Sequence, residues 1–530
     1  MSRNAGDARR QGLGPAEGRG RLIRDEPCDV AIVGAGASGA AAAMVLAEAG
    51  LRVVCLEQGG WLDQRASPSL GPRWEEALQT TFHINPNVRR LASDYPVVED
   101  DTPIKPALYT GVGGSTLRWG AHFPRMRPSD FREWPIAYDD LDPYFDAVDE
   151  VTGVAGLQGD PANPPRRAPR QAPLPLGPGP ARLAAAFDRL GWHWWPSDSA
   201  VLTEAREGRK ACNLCGPCGV GCPRHARASA DVTWWPRALA AGTDLRAQAR
   251  VLRVEPGRVV YVRDGEKRVQ PARAVVMAAS GLGTPRLLLA SGLGGWATGR
   301  HLMHHPTAIV TGLFADRLDG HKGPFACALF SQEFIEDDPA RGFRRGYQMQ
   351  ALRGGGPVQT ALGGYMARVP WGRGHHARFV ATFGHSVSVT ITAEDLPDPE
   401  NRVTLDDRVT DSDGLPAPRL HYRLDDNARA MLAHGVDRAS EVLREAGATE
   451  IVVNPLVAAA GFHFLGTARM GRDAATSIVD AECRMHGAKD IVVVDGSVFA
   501  TAGAVNPTPT IQAIALRAAT RLAARLKGEA

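Results

Sequence analysis

Cys212, Cys215, Cys218 and Cys222 fall within the run Cys-Asn-Leu-Cys-Gly-Pro-Cys-Gly-Val-Gly-Cys-Pro, a C-x-x-C-x-x-C-x-x-x-C-P spacing. Thiolates so placed on a short folded-back loop reach different corners of one iron–sulfur cube, which would give the chain a one-electron relay. Zinc, a disulfide pair and plain core packing are the other readings of such a run. Structural zinc usually draws two ligand pairs from separated knuckles, whereas here all four thiols share one loop with Gly216, Pro217, Gly219 and Gly221. Zinc is redox-silent, so the choice decides whether the site moves electrons.

A second chemical pattern lies near the N-terminus, where the apolar run from Cys28 to Val33 enters Gly34-Ala-Gly36-Ala-Ser38-Gly39. An alanine-rich helix over 38–49 follows, then Gly50, then a strand from Leu51 that ends in the acid Glu57. This is a dinucleotide fingerprint: Gly34 for the tight turn, Gly36 for close approach of a pyrophosphate, Gly39 for helix–strand packing, and Glu57 for a ribose hydroxyl. Three further segments extend it. The glycine-rich loop Tyr109-Thr-Gly-Val-Gly113-Gly114-Ser115 is built for close backbone approach, and residues 274–292 read as a buried strand, a small-residue turn and a helix with proline at its start. Near the C-terminus, His463-Phe-Leu-Gly466-Thr467 precedes a strand over 491–499 and then Asn506-Pro507-Thr508.

Together these motifs resemble those of the glucose-methanol-choline oxidoreductases, and the resemblance spans about residues 28–525 in family order. It implies a Rossmann-like α/β FAD-binding domain joined to a substrate domain built on a mainly antiparallel sheet with helices. It also implies FAD, held by Gly34, Gly36, Ser38, Gly39, Glu57, Gly113, Gly114, Ser115, Asp495, Gly496, Asn506, Pro507 and Thr508. His463 and Asn506 match the catalytic pair that faces the flavin, although many relatives carry a second histidine where Asn506 stands. Oxidising an alcohol removes a hydroxyl proton together with a hydride; imidazole suits the proton, and an asparagine amide positions the developing alkoxide. Some members tether FAD to a histidine at the position held here by Arg118. His122 lies further along, so FAD is expected to be non-covalent, with a covalent bond to His122 as the alternative. The stretch containing His301, His304 and His305 resembles a structural loop of the family and is read as that rather than as a metal site.

The cysteine run is outside the core family pattern. It resembles a loop of the bacterial membrane-linked sugar and polyol dehydrogenases, whose flavin subunit carries a 3Fe-4S cluster on three cysteines. Cys212, Cys218 and Cys222 fit that spacing, and Cys215 is additional, which leaves 3Fe-4S or 4Fe-4S open. The implied activity is oxidation of a sugar, glycoside or polyol, with electrons leaving through the cluster to a cytochrome or other acceptor and with a small chaperone-like subunit as partner. The competing reading is an oxidase that passes electrons to dioxygen and makes hydrogen peroxide, with the cysteine loop structural. A lyase with an idle flavin and a cluster-bearing redox sensor are weaker alternatives.

Composition bounds the rest. With 530 residues, 44% apolar and 22% charged, the chain suits a folded protein of two lobes. A formal net charge of +3 offers no argument for nucleic acid or an anionic membrane. Cys28, Cys55, Cys327 and Cys483 are scattered, unlike a secreted disulfide framework, and a reducing compartment is expected. Residues 1–24 lack an apolar core and read as a disordered tail, and no run of about 18 apolar residues occurs, so the chain itself is expected to be cytoplasmic, reaching the periplasm or a membrane only through a partner. The expected layout is FAD domain over 25–156, linker and substrate segment over 157–200, cysteine loop and FAD domain over 201–310, substrate domain over 311–454, and FAD domain with the catalytic residues over 455–530. Within the substrate domain, 379–383 and 386–392 read as strands and 426–446 as an amphipathic helix. Trp192, Trp194, Trp195, Trp234 and Trp235 flank the cysteine loop and are read as core filling.

Overall fold

Apolar runs buried on both faces form a parallel sheet, as hydrophobic strands without alternation should. The computed structural model describes residues 22–168, 170–323, 327–366 and 369–529. In the first sheet, Cys28–Val33 lies between Val53–Leu56 and Glu266–Met277, with Asp244–Arg246 and Ala488–Val493 outside them, all in parallel register. The helix Ala37–Glu48 packs on this sheet beside the C-terminal helix Thr508–Lys527, so the last element of the chain closes the lobe that the first one opens.

The second sheet is antiparallel, in the order Glu450–Asn454, Thr307–Leu313, Ser386–Ala393, Tyr347–Leu352, Cys327–Ser331 and Trp195–Pro196. The helix Asp426–Glu445 covers one face of it, capped at its start by the Asp425 carboxylate accepting from the Ala428 N–H. A small third sheet joins Arg402–Thr410, Pro416–His421 and Val98–Asp101. Two hydrophobic cores result, one under the parallel sheet and one under the antiparallel sheet. Trp234 and Trp235 are wholly buried in the first, in line with core filling.

Several sequence expectations need correction. Residues 379–383 are not a strand: 379–382 close the helix His375–Thr382 and Phe383 is its C-cap, its ring stacked on that of Phe379 with centroids 5.3 Å apart. The strand expected over 491–499 ends at Val493, and Gly496–Val498 forms a 3₁₀ turn capped by Asp495. Pro285 sits inside the helix Ser280–Ala290 rather than at its start. Residues 1–21 of the expected tail lie outside the described residues, while Ile23–Arg24 pairs with Glu266–Met277. The strand Thr307–Leu313 crosses the boundary expected at 310, because it belongs whole to the antiparallel sheet.

Candidate active site

A cavity of about 810 Å³ runs from the glycine turn of the parallel sheet to the face of the antiparallel sheet. Its near end is shaped by glycines. A Cβ on Gly34, where φ is +102°, would stand 2.4 Å from the Ala278 carbonyl oxygen, and one on Gly39 would stand 2.0 Å from that of Gly34. Beside Gly36 the nearest atom to such a Cβ is Gly114 Cα at 4.0 Å, so the turn opens into space there. That division of labour is the one the fingerprint requires: two glycines for backbone packing and one for approach of a ligand.

Glu57 is buried behind this turn, its carboxylate accepting from the N–H groups of Ala35 at 2.9 Å and Gly59 at 2.8 Å. Burial pushes its pKa up to about 7 despite these bonds. Ser38, Gly114, Ser115, Gly496, Asn506, Pro507 and Thr508 line the cavity. Gly113 stands behind the wall, donating to the Ala35 carbonyl at 2.9 Å, and Gly39 is a packing residue. The buried carboxylate of Asp495 accepts from the backbone and hydroxyl of Ser497 and from the hydroxyl of Thr284; it thereby fixes the turn that presents Gly496.

At the far end, His463 and Asn506 line the same cavity. His463 is held by its neighbours: His304 Nδ1 donates to the His463 carbonyl at 2.9 Å, and His305 Nδ1 lies 2.7 Å from His463 Nδ1. Burial drives the His463 pKa well below the usual range, with the two adjacent histidines adding to the shift. The ring is therefore neutral at physiological pH and has a lone pair to offer. Asn506 accepts at Oδ1 from Gln350 Nε2 at 2.9 Å, which leaves its own N–H groups for another acceptor.

The wall opposite the glycine turn was not among the residues expected from the sequence. Thr307, Ile309, Cys327, Gln350, Leu352, Thr390 and Thr392 bring the antiparallel sheet to the cavity. Gln348 and Gln350, and Ser388, Thr390 and Thr392, are polar side chains buried at a period of two, and that pattern was the signal available in the sequence. Arg118, at the position where some members of the family tether FAD, also lines the cavity. Its Nε donates to the Gly219 carbonyl while Nη1 is buried without a hydrogen-bond partner, and burial lowers its pKa to about 9. His122 has both ring nitrogens engaged, Nδ1 with Ser197 Oγ at 2.7 Å and Nε2 with Gln348 Oε1 at 3.0 Å.

The cysteine loop forms one side of the cavity through Gly216 and Gly219. Cys212, Cys218 and Cys222 are partly exposed and Cys215 is exposed. Burial, the charge of Cys222 and, for Cys215, that of Cys212 raise the pKa of Cys212 and Cys215, which places these thiols in one neighbourhood. Among the described residues, however, no group of three or more His, Cys, Asp or Glu side chains is gathered so as to hold a metal ion. The ligand set expected of Cys212, Cys215, Cys218 and Cys222 is therefore not formed in this geometry.

A parallel sheet with a glycine turn, a buried acid at its second strand and a long cavity ending at a histidine–asparagine pair defines an FAD-binding oxidoreductase. The chain belongs to the GMC oxidoreductases: models of that family match residues 107–307 and 397–515, and an FAD binding domain matches 27–67. It is 39% identical to 2-methyl-1,2-propanediol dehydrogenase of Mycolicibacterium austroafricanum, covering 92% of this chain and 94% of that one. It is 30% identical to paromamine 6'-oxidase of Streptomyces fradiae, covering 97% and 95%. The fructose dehydrogenase large subunit of Gluconobacter japonicus is 27% identical over 94% of this chain and 98% of its own. In fold, the chain matches pyridoxine 4-oxidase from Mesorbium loti with a TM-score of 0.61 at 16% identity, covering 93% of this chain and 99% of the other. It is thus an FAD-dependent oxidoreductase acting on alcohols. Among the described residues no helix is long and apolar enough to cross a membrane.

Proposed function

We propose that this chain is a dehydrogenase that oxidises an alcohol group of a polyol, sugar or glycoside, with His463 as the base. The observation that carries the proposal is the place of the His463 ring in the wall of a cavity that also holds the Gly36 opening, Asn506 and the polar sheet face, where burial lowers its pKa. Gly34, Gly36, Ser38, Glu57, Gly114, Ser115, Gly496, Pro507 and Thr508 would hold FAD, which when bound would supply the two-electron oxidising power that alcohol oxidation needs. His463 takes the hydroxyl proton, and the Asn506 amide donates to the oxygen as negative charge grows on it. Gln350, Thr390 and Thr392 offer hydrogen bonds to further hydroxyl groups of the substrate, which suits a molecule bearing more than one. The relative that acts on 2-methyl-1,2-propanediol makes a small diol the first substrate to try.

The cysteine loop is the second part of the proposal: Cys212, Cys218 and Cys222, with or without Cys215, are ligands of an iron–sulfur cluster. Its support is the ligand spacing, the contact of Gly216 and Gly219 with the cavity, and the partial exposure of the thiols. Such a cluster would pass electrons singly to an external acceptor such as a cytochrome. The likeness to a protein named as a large subunit is in line with a partner chain, and a periplasmic or membrane-associated site of action through that partner is part of the proposal.

Anaerobic addition of 2-methyl-1,2-propanediol, fructose and simple glycosides to the FAD-loaded protein tests the first part, since an accepted alcohol bleaches the flavin and none bleaching it removes the reading. A one-electron dye that outpaces dioxygen as acceptor distinguishes the dehydrogenase from the oxidase. Iron and acid-labile sulfide analysis with EPR on anaerobically purified protein tests the loop; iron at trace level only would leave the alcohol chemistry standing without the cluster.

A further inference from the structure

His305 was expected to be part of a structural loop, yet it touches the proposed base. Its ring lies edge-on to that of His463, with centroids 4.8 Å apart and planes at 84°. One ring nitrogen, Nε2, is 2.6 Å from the Gly503 carbonyl oxygen; the other, Nδ1, is 2.7 Å from His463 Nδ1. We propose that His305 is a positioning residue that locks His463 as the Nδ1–H tautomer, so that Nε2 of His463 keeps its lone pair for the alcohol proton. This inference rests on the reading of His463 as the base.

The Gly503 carbonyl sets the direction of both bonds. An amide oxygen accepts and never donates, so the bond to Gly503 requires a hydrogen on His305 Nε2. A neutral imidazole carries one N–H, so His305 Nδ1 is then a bare acceptor. His463 Nδ1 must therefore carry the hydrogen between the two rings, and the neutral His463 ring has its lone pair on Nε2. Free imidazole side chains tend to the other tautomer, in which Nε2 is protonated and useless as a base, so the neighbour decides whether the ring is ready.

These proton positions hold while His305 is neutral. Burial lowers its pKa to about 4, and the bond to Gly503 does not reverse this. The titratable groups around it are His463 and His304, the latter also lowered to about 4, and, on the far side of Gly503, Asp130 and Glu394. Burial pushes those acids up to about 6 and about 8. Neither acid bonds to the His305 ring, whose two nitrogens are already used. His304 plays a different part, since its Nδ1 holds the His463 backbone while its own backbone N–H donates to Asp395.

Glutamine at position 305 could reproduce both bonds, with Oε1 accepting from His463 and the amide N–H donating to Gly503, whereas leucine could make neither. The test is ¹⁵N NMR of histidine-labelled, FAD-loaded protein, with the His463 signals assigned by their loss in His463→Ala. The expected result is a protonated Nδ1 and a bare Nε2 for His463 in wild type and in His305→Gln, and the Nε2–H form in His305→Leu. Flavin reduction at saturating alcohol should be within about fivefold of wild type in His305→Gln and about 10²-fold slower in His305→Leu, with KM little changed. A protonated Nε2 in the wild-type protein, or a His305→Leu variant with the wild-type tautomer and rate, overturns the proposal. Wild-type NMR does not depend on any variant folding. A failure of every alcohol to bleach the flavin would count against the base reading, while the tautomer result would still stand or fall by itself.

Discussion

Replacing Gln350 by glutamate tests how the polar sheet face orients Asn506. Gln350 Nε2 lies among three oxygens, Asn506 Oδ1 at 2.9 Å, Gln348 Oε1 at 3.0 Å and Thr392 Oγ1 at 3.2 Å. A carboxylate oxygen in that place can only accept, so the Asn506 amide must turn over and present Oδ1 instead of N–H groups to the cavity. The growing alkoxide then loses a donor and faces an acceptor. Losing one such donor costs about 10²–10³ in rate, or about 3–4 kcal/mol of transition-state stabilisation. The site is buried, which raises the pKa of the introduced acid above the usual carboxyl range. Below that raised pKa the acid is protonated and its O–H can donate to Asn506 as Gln350 does; above it the donor is gone. Gln350→Glu should therefore be near wild type at low pH and lose about 10²-fold in flavin reduction as pH rises, whereas Gln350→Met, which only removes the bond, should lose about tenfold with no new pH dependence. Stopped-flow flavin reduction at saturating alcohol between pH 5 and 9, with FAD content and thermal unfolding measured alongside, reads this directly. A Gln350→Glu variant within threefold of wild type at pH 9, with FAD content unchanged, would refute the assigned polarity of Asn506.

Other expectations follow from the same geometry. Gly39→Ala sets a methyl against the Gly34 backbone oxygen, so the variant should lose FAD and unfold at lower temperature, by more than the ~1–3 kcal/mol of ordinary overpacking. Asp395 is buried between the His304 N–H and the Tyr422 hydroxyl, with its pKa raised to about 7 by burial. A raised acid weakens the fold as pH climbs from its unfolded value near 4 to 7, so Asp395→Asn should be more stable than wild type above pH 7, by on the order of 4 kcal/mol, and this advantage should vanish near pH 4 in denaturant titrations. Because both His122 nitrogens are occupied, FAD should pass into the supernatant when the protein is acid-precipitated; flavin remaining with the pellet would point to a covalent link.

The sequence by itself determined the dinucleotide lobe. The glycine turn is written into Gly34, whose φ of +102° favours glycine locally, and Gly39, whose Cβ would meet the Gly34 carbonyl oxygen five residues back, while Gly36 leaves room for a ligand. The motifs around His463 and Asn506 likewise marked the pair that the proposed function rests on, since alcohol oxidation needs a proton acceptor and a donor that does not titrate. What only the tertiary structure decided is which way those groups face. The tautomer of His463 depends on His305, 158 residues away in the chain, and the amide of Asn506 on Gln350, 156 residues away. No local pattern encodes such bonds, which arise when the antiparallel sheet and the C-terminal segment close on one cavity. Residues 379–383 show the same limit from the other side: five alternating residues fit either period, and only packing chose the helix. The cysteine spacing, too, states which thiols lie on one loop, whereas their gathering around a cluster depends on charge and ligation that the amino-acid order alone does not supply.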